Sequence, residues 1–226
     1  MTLPVAGLFV SWHSHLPLAP VAALFLPVSG THDPRFHFLS PWQLAATPTA
    51  TRFDAPLGSA GSALVYNAQK FWDMNEARHG HHTGDDLNGI GGMNTDLGDP
   101  VFSTADGLVV YAGELSAGWG NIIIVSHRTI QGEILQSMYA HLLEMKVKPG
   151  DLVARGQNIA AVGTANGHYP AHLHFEIRAS DGLDLGAGYA VDRLNHLNPM
   201  QTVAELRNAA PDALSPAPLS LVLKEK

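Results

Sequence analysis

The chain has 226 residues, of which 46% are hydrophobic and only 15% charged, a balance that supports a folded core and excludes disorder throughout. Lys and Arg number 13 against 20 Asp and Glu, for a formal net charge of −7 with no basic run, which argues against a nucleic-acid partner. Cysteine is absent, so disulfides, thiolate metal sites and cysteine nucleophiles are excluded, whereas histidine reaches 13 residues and raises the question of metal chemistry.

Residues 1–32 carry no Lys, Arg, Asp or Glu. Pro4, Pro17, Pro20, Pro27, His13 and His15 interrupt them, so no membrane span is expected. Two readings stay open for residues 1–52: an export signal, with residues 19–30 as its apolar part but without a basic start, or an arm packed on the domain. Pro48, Pro56, Gly58 and Gly61 mark a connection. Residues 53–200 then read as a mainly β domain. Strands are expected at 108–112, 121–127, 135–141, 151–153, 157–162 and 171–178, with glycines at the breaks. One helical segment is expected, at 200–208 behind Pro199, so that residues 201–226 form a C-terminal helix and tail.

Strand periodicity sorts residues 171–178 into two faces, with Leu173, Phe175 and Ile177 toward the core and His172, His174 and Glu176 on the other side. Neighbours on one face stand roughly 6.6 Å apart, which suits one imidazole on a metal ion and a second over its bound water. The segment His82-Thr83-Gly84-Asp85-Asp86 offers an imidazole and a carboxylate, the kind of nitrogen and oxygen donors that zinc takes. Gly84 argues against a helix there and for a turn or strand end at which both side chains converge. His81 and Asp85 have the same spacing, so spacing alone leaves the register open. His141, at the end of Tyr139-Ala140-His141-Leu142, matters only if folding brings it beside the other two segments.

Taken in order, His82-Thr-Gly-Asp-Asp86, Tyr139-Ala-His141-Leu and His172-Leu-His174-Phe-Glu176 resemble the M23 metallopeptidases, the lysostaphin-like or LytM-like family that cleaves peptide bonds of bacterial peptidoglycan. The text between them is similar as well, at residues 99–109, 118–127, 150–157 and 162–163, so the resemblance covers about residues 78–178. It implies an antiparallel β-sheet sandwich of the lysostaphin, duplicated-hybrid-motif type, with short peripheral helices. It also implies one zinc ion per chain, held by His82, Asp86 and His174, with His141 and His172 as catalytic histidines that are not ligands. The family's glycine falls on Gly84 only in the His82 register. Asp85 departs from the pattern, where an apolar residue is common, and is expected to face solvent or to hydrogen-bond a zinc-binding imidazole. Glu176 is expected to be structural or to support a ligand, and His127 to be a neighbour of the site.

The implied function is zinc-dependent endopeptidase activity on peptidoglycan or peptide substrates, outside the cytoplasm. Three alternatives stand beside it. A catalytically silent M23-like module that activates another wall hydrolase would carry a broken ligand set, but all five positions are intact. A peptidase of non-wall substrates would differ only in its groove. A biotinyl or lipoyl carrier would need a lysine at the turn Thr164-Ala165-Asn166-Gly167, which has none.

Overall fold

A computed structural model describes residues 37–183 and 186–207 of the chain; most of the N-terminal segment weighed above, including His13 and His15, and the tail after 207 lie outside the described residues. In chain order the first strands are β1 (His37–Phe38), β2 (Val65–Gln69), β3 (Met74–Asn75), β4 (Gly80–His82), β5 (Asp85–Gly89) and β6 (Pro100–Phe102). The long central strands follow, β7 (Gly107–Ser116), β8 (Gly120–Arg128) and β9 (Ile134–Leu142). After them come β10 (Glu144–Met145), β11 (Leu152–Val153), β12 (Asn158–Ala161), β13 (Leu173–Arg178), β14 (Gly182–Leu183), β15 (Tyr189–Ala190) and β16 (His196–Leu197). The helices are α1 (Pro41–Ala46) and α2 (Pro199–Leu206).

The main sheet is antiparallel, in the order β11-β7-β8-β9-β13-β5-β2, with β16 paired to the end of β13. Its central strands are apolar without interruption, as at residues 122–125, because both faces are covered. On one face Ile123 and Val125 join Val109, Tyr139, Leu173 and Phe175, against Val101 and Ile159 of the small β10-β12-β6 sheet. On the other, Ile122 and Ile124 join Leu108, Val110, Met138 and Ala140 beneath Leu39 and Leu44. The result is a sandwich in which each fully buried Ile, Val or Phe contributes about 1.5–3 kcal/mol from the removal of its apolar surface from water.

Strand expectations at 108–112, 121–127, 135–141, 151–153, 157–162 and 171–178 coincide with β7, β8, β9, β11, β12 and β13 to within a few residues. Helix α1 is an addition to the expected elements. It is only six residues long and holds through a reciprocal cap: Gln43 N–H donates to the Ser40 hydroxyl while the Gln43 side chain accepts from Ser40 N–H. Behind it Ala50 is buried and its N–H donates to Arg128 O at 2.7 Å. Among the described residues no helix is long and apolar enough to cross a membrane.

Candidate metal centre

Strands β5 and β13 bring the two halves of the site together. Asp86 and His174 are direct antiparallel partners, and His174 is opposite Ala140 of β9, so its ring lies on the face away from Phe175 and the main core. His82 reaches the same point from the end of β4 through the turn Thr83-Gly84. Glycine is required in that turn: a Cβ on Gly84 would lie 2.6 Å from Phe175 O and 2.9 Å from His174 Nε2. The β13 backbone therefore passes directly against the turn, which is what lets His82 and Asp86 face one imidazole.

His82 Nε2 is 3.1 Å from His174 Nδ1 and 3.3 Å from Asp86 Oδ1, and His174 Nδ1 is 3.0 Å from that same oxygen. These are the three groups whose donor atoms could hold a metal ion. The donor chemistry fits a cation. His174 Nε2 donates to Glu176 Oε1 at 2.9 Å, so in a neutral ring Nδ1 is a lone pair, aimed at the Asp86 carboxylate with nothing to share. Either a proton or a metal ion must lie between them. Burial opposes a proton on His174, but Asp86 and Glu176 outweigh it and raise the pKa to about 9. Three ligands around a tetrahedral zinc ion, with bonds near 2.0–2.2 Å, would be separated by roughly 3.3 Å, close to what the three atoms show.

Behind the cluster, Glu176 is completely buried and fully engaged. Oε1 accepts from His174 Nε2 and from the Thr83 hydroxyl at 2.6 Å, and Oε2 accepts from Arg178 Nε at 2.7 Å. Burial would raise its pKa, but Arg178 and His174 hold the carboxyl below its ordinary range. It thus orients the His174 ring from behind.

His141 reaches the site through a break in strand regularity. Alternation from Tyr139, a main-core residue, would turn His141 toward that core and away from Ala140. Instead β9 bulges: Asn121 and Ile123 of β8 pair with Leu142 and Tyr139, and His141 takes the left-handed conformation at φ 64°. Its ring then lies 4.7 Å from His172 and 5.7 Å from His174. Both flanking histidines have one nitrogen committed. His141 Nδ1 donates to Trp119 O at 3.1 Å and His172 Nδ1 to Pro170 O at 2.8 Å, which leaves Nε2 as the lone pair on each. His172 Nε2 lies 3.7 Å from Asp86 Oδ1. Burial, with help from His174 and His172, pushes the His141 pKa down to about 3, so this ring stays neutral.

These five side chains open into a cavity of about 510 Å³ whose walls include Trp119, Tyr169, Tyr189, Arg78, Gln69 and Asn75. None of the six stood out in the sequence. Trp119 lies in the stretch 118–127 that is similar to the family, a likeness that gave it no role. The alternative pair lies elsewhere. His81 stacks on Trp72 at 4.6 Å and bonds its carbonyl. Asp85 corrects both expectations for it: its side chain meets neither solvent nor an imidazole. Buried, it accepts from Asn67 Nδ2 at 2.6 Å, Phe71 N–H at 2.8 Å and Met200 N–H at 3.2 Å, tying the first turn of α2 to the metal-site strand. His127 is buried in the sheet, hydrogen-bonded to Asp106 O and Ser137.

A β-sandwich thus brings together, at one cavity, a His-Asp-His group that could hold a metal ion and two further imidazoles. The sequence pattern of peptidase family M23 matches residues 82–191, and the chain belongs to that family. It is 43% identical over 81 residues to lipoprotein NlpD of Yersinia enterocolitica, covering 36% of this chain and 78% of that one. It has the same identity to the murein hydrolase activator NlpD of Escherichia coli K12, but spans only 20% of that protein. With the peptidoglycan DD-endopeptidase ShyB of Vibrio cholerae it shares 37% over 83 residues, covering 37% of this chain and 18% of that one. Among solved structures, lysostaphin of Staphylococcus simulans matches with a TM-score of 0.51 at 21% identity, over 76% of this chain and 62% of that one, a likeness of fold.

Proposed function

We propose that the chain is a zinc endopeptidase that hydrolyses amide bonds in peptidoglycan peptides, outside the cytoplasm. The observation that carries the reading is the convergence of His82 Nε2, Asp86 Oδ1 and His174 Nδ1 within 3.3 Å of one another, beside two imidazoles with free Nε2 atoms. His82, Asp86 and His174 would hold the ion. Zinc bound there supplies a Lewis acid for the scissile carbonyl and lowers the pKa of a bound water from 15.7 toward about 7.

The chain's own groups divide the remaining work. His141, kept neutral by burial, offers Nε2 as an acceptor that orients the attacking water. His172 is better placed to carry the proton, because its imidazolium would have the Asp86 carboxylate 3.7 Å away and partial access to solvent. Once protonated, it can return the proton to the departing amine. Glu176 keeps His174 in the tautomer that presents Nδ1.

The NlpD relatives favour a second reading, an activator of other murein hydrolases, since several of them carry that name. The two separate in one preparation: zinc content, digestion of purified peptidoglycan, and mass spectrometry of the released fragments. Zinc with new peptide ends supports the endopeptidase. Intact peptidoglycan with zinc-loaded protein, together with faster digestion by an added murein amidase, supports the activator.

A further inference from the structure

Arg78 is the one cationic side chain with a permanent charge among the described residues that line the cavity. It ends a one-turn 3-10 helix, Glu76–Arg78, whose geometry is pinned on both sides. Asn75 Oδ1 accepts from Arg78 N–H at 3.1 Å, and His79 closes the turn in the left-handed conformation at φ 51°. Four residues later the same stretch supplies His82, so the base of Arg78 is fixed relative to the metal centre.

The guanidinium lies between the two tyrosines that flank the histidines. It sits 5.7 Å from the centroid of Tyr189, the direct strand partner of His82, whose ring is 5.5 Å from His82. Across the cavity its Nη2 contacts the Tyr169 hydroxyl at 3.4 Å, and Tyr169 packs 5.0 Å from His141. That long bond occupies one of five donors, and among the described residues no carboxylate pairs with this arginine. Four other arginines do pair with carboxylates: Arg178 is locked on Glu176, and Arg52, Arg155 and Arg207 gather on Asp54. Among the described residues that line the cavity the one carboxylate is Asp86, already committed to the histidines.

We infer that Arg78 selects substrates with a free carboxylate next to the scissile amide, recognising it through charge-assisted hydrogen bonds that displace the weak Tyr169 contact. This rests on the peptidase reading for the identity of the ligand as a peptide. The carboxylate has two possible sources, a side-chain carboxyl within the peptide or its C-terminus.

The test uses the zinc-loaded full chain carrying His141→Ala, so that binding is measured by calorimetry without turnover. Three stem pentapeptides, L-Ala-γ-D-Glu-L-Lys-D-Ala-D-Ala, are compared: unmodified, amidated at the D-Glu α-carboxyl, and amidated at the C-terminus. Amidation at one of the two positions weakens binding about tenfold, identifying the carboxylate. Adding Arg78→Gln abolishes that preference, Arg78→Lys restores part of it, and Arg78→Glu reverses it, each checked for folding by circular dichroism. Lys148→Gln, which removes an exposed cation paired with Asp151, retains the full preference. Equal binding of all three peptides, binding of none, or a preference that survives Arg78→Gln overturns the assignment. Absence of turnover in the unsubstituted chain would refute the peptidase reading and leave this binding result intact.

Discussion

Asp86 Oδ1 and His174 Nδ1 face each other at 3.0 Å across the β5–β13 ladder, two acceptors brought together by strand register. Two acceptors at this distance repel unless a cation lies between them, so the pairing itself creates the demand for a metal ion or a proton. Removing either His82 or Asp86 leaves too few ligands for tight binding. His82→Ala and Asp86→Ala are therefore expected to lose zinc and hydrolysis together, while His141→Ala and His172→Ala keep zinc and lose about 10²–10⁴-fold in turnover. Metal analysis of the four purified variants checks this, and full zinc retention by the first pair would contradict the ligand assignment.

Gly84 is a second pressure point. With a Cβ only 2.6 Å from Phe175 O, Gly84→Ala must push the His82 turn away from β13. The expected cost is about 1–3 kcal/mol of stability, accompanied by weaker zinc binding. Chemical denaturation with and without zinc reads both effects.

Glu176 supports His174 without lining the cavity. Glu176→Gln keeps the shape but loses the charge opposite Arg178, and is expected to weaken zinc binding 10- to 100-fold. A zinc competition titration with a chromophoric chelator measures it. Unchanged affinity would mean that the His174 ring is oriented by packing alone.

His127 should make the fold acid-sensitive. Burial holds its pKa down to about 4 against the pull of the Asp106 carbonyl, compared with 6.5 for a free imidazole. Below pH 6.5 the unfolded chain takes up a proton that the native ring refuses, so stability falls as pH drops to about 4 and then levels off. The contribution is about 3 kcal/mol. Urea unfolding of metal-free protein at pH 7 and pH 4.5 is expected to show a smaller acid loss for His127→Gln than for the unsubstituted chain, whatever the substitution costs at pH 7.

Asp85→Leu installs the apolar residue more usual at this position, but strips acceptors from Asn67, Phe71 N–H and Met200 N–H. A loss of about 1–3 kcal/mol is expected from these unpaired donors, with α2 the first element to lose amide protection in hydrogen exchange.

The central strands and the chemistry were legible in sequence for different reasons. β8 and β13 announce themselves because their side chains must satisfy a pleat, and Leu173, Phe175 and Ile177 do occupy the core. By contrast β5 (Asp85–Gly89) is polar and ends in glycine, so it carries no apolar alternation; it becomes a strand because β13 and β2 pair with it on both sides. Helix α1 was marked by a capping box in Ser40-Pro41-Trp42-Gln43, yet six residues hold no helical stripe to read.

By itself the sequence determined which donor atoms exist and how they are spaced along the chain, since residue type and strand period are local properties. Only the tertiary structure decided which of them meet. It brought the His82 ring to Asp86 and His174, turned His141 onto the site through a left-handed bulge, sent Asp85 to the foot of α2, and aligned Arg78, Tyr169 and Tyr189 around one cavity. Those outcomes depend on register between strands far apart in the chain, and a one-residue change in register would turn strand residues such as Asp86 and His174 to the opposite face.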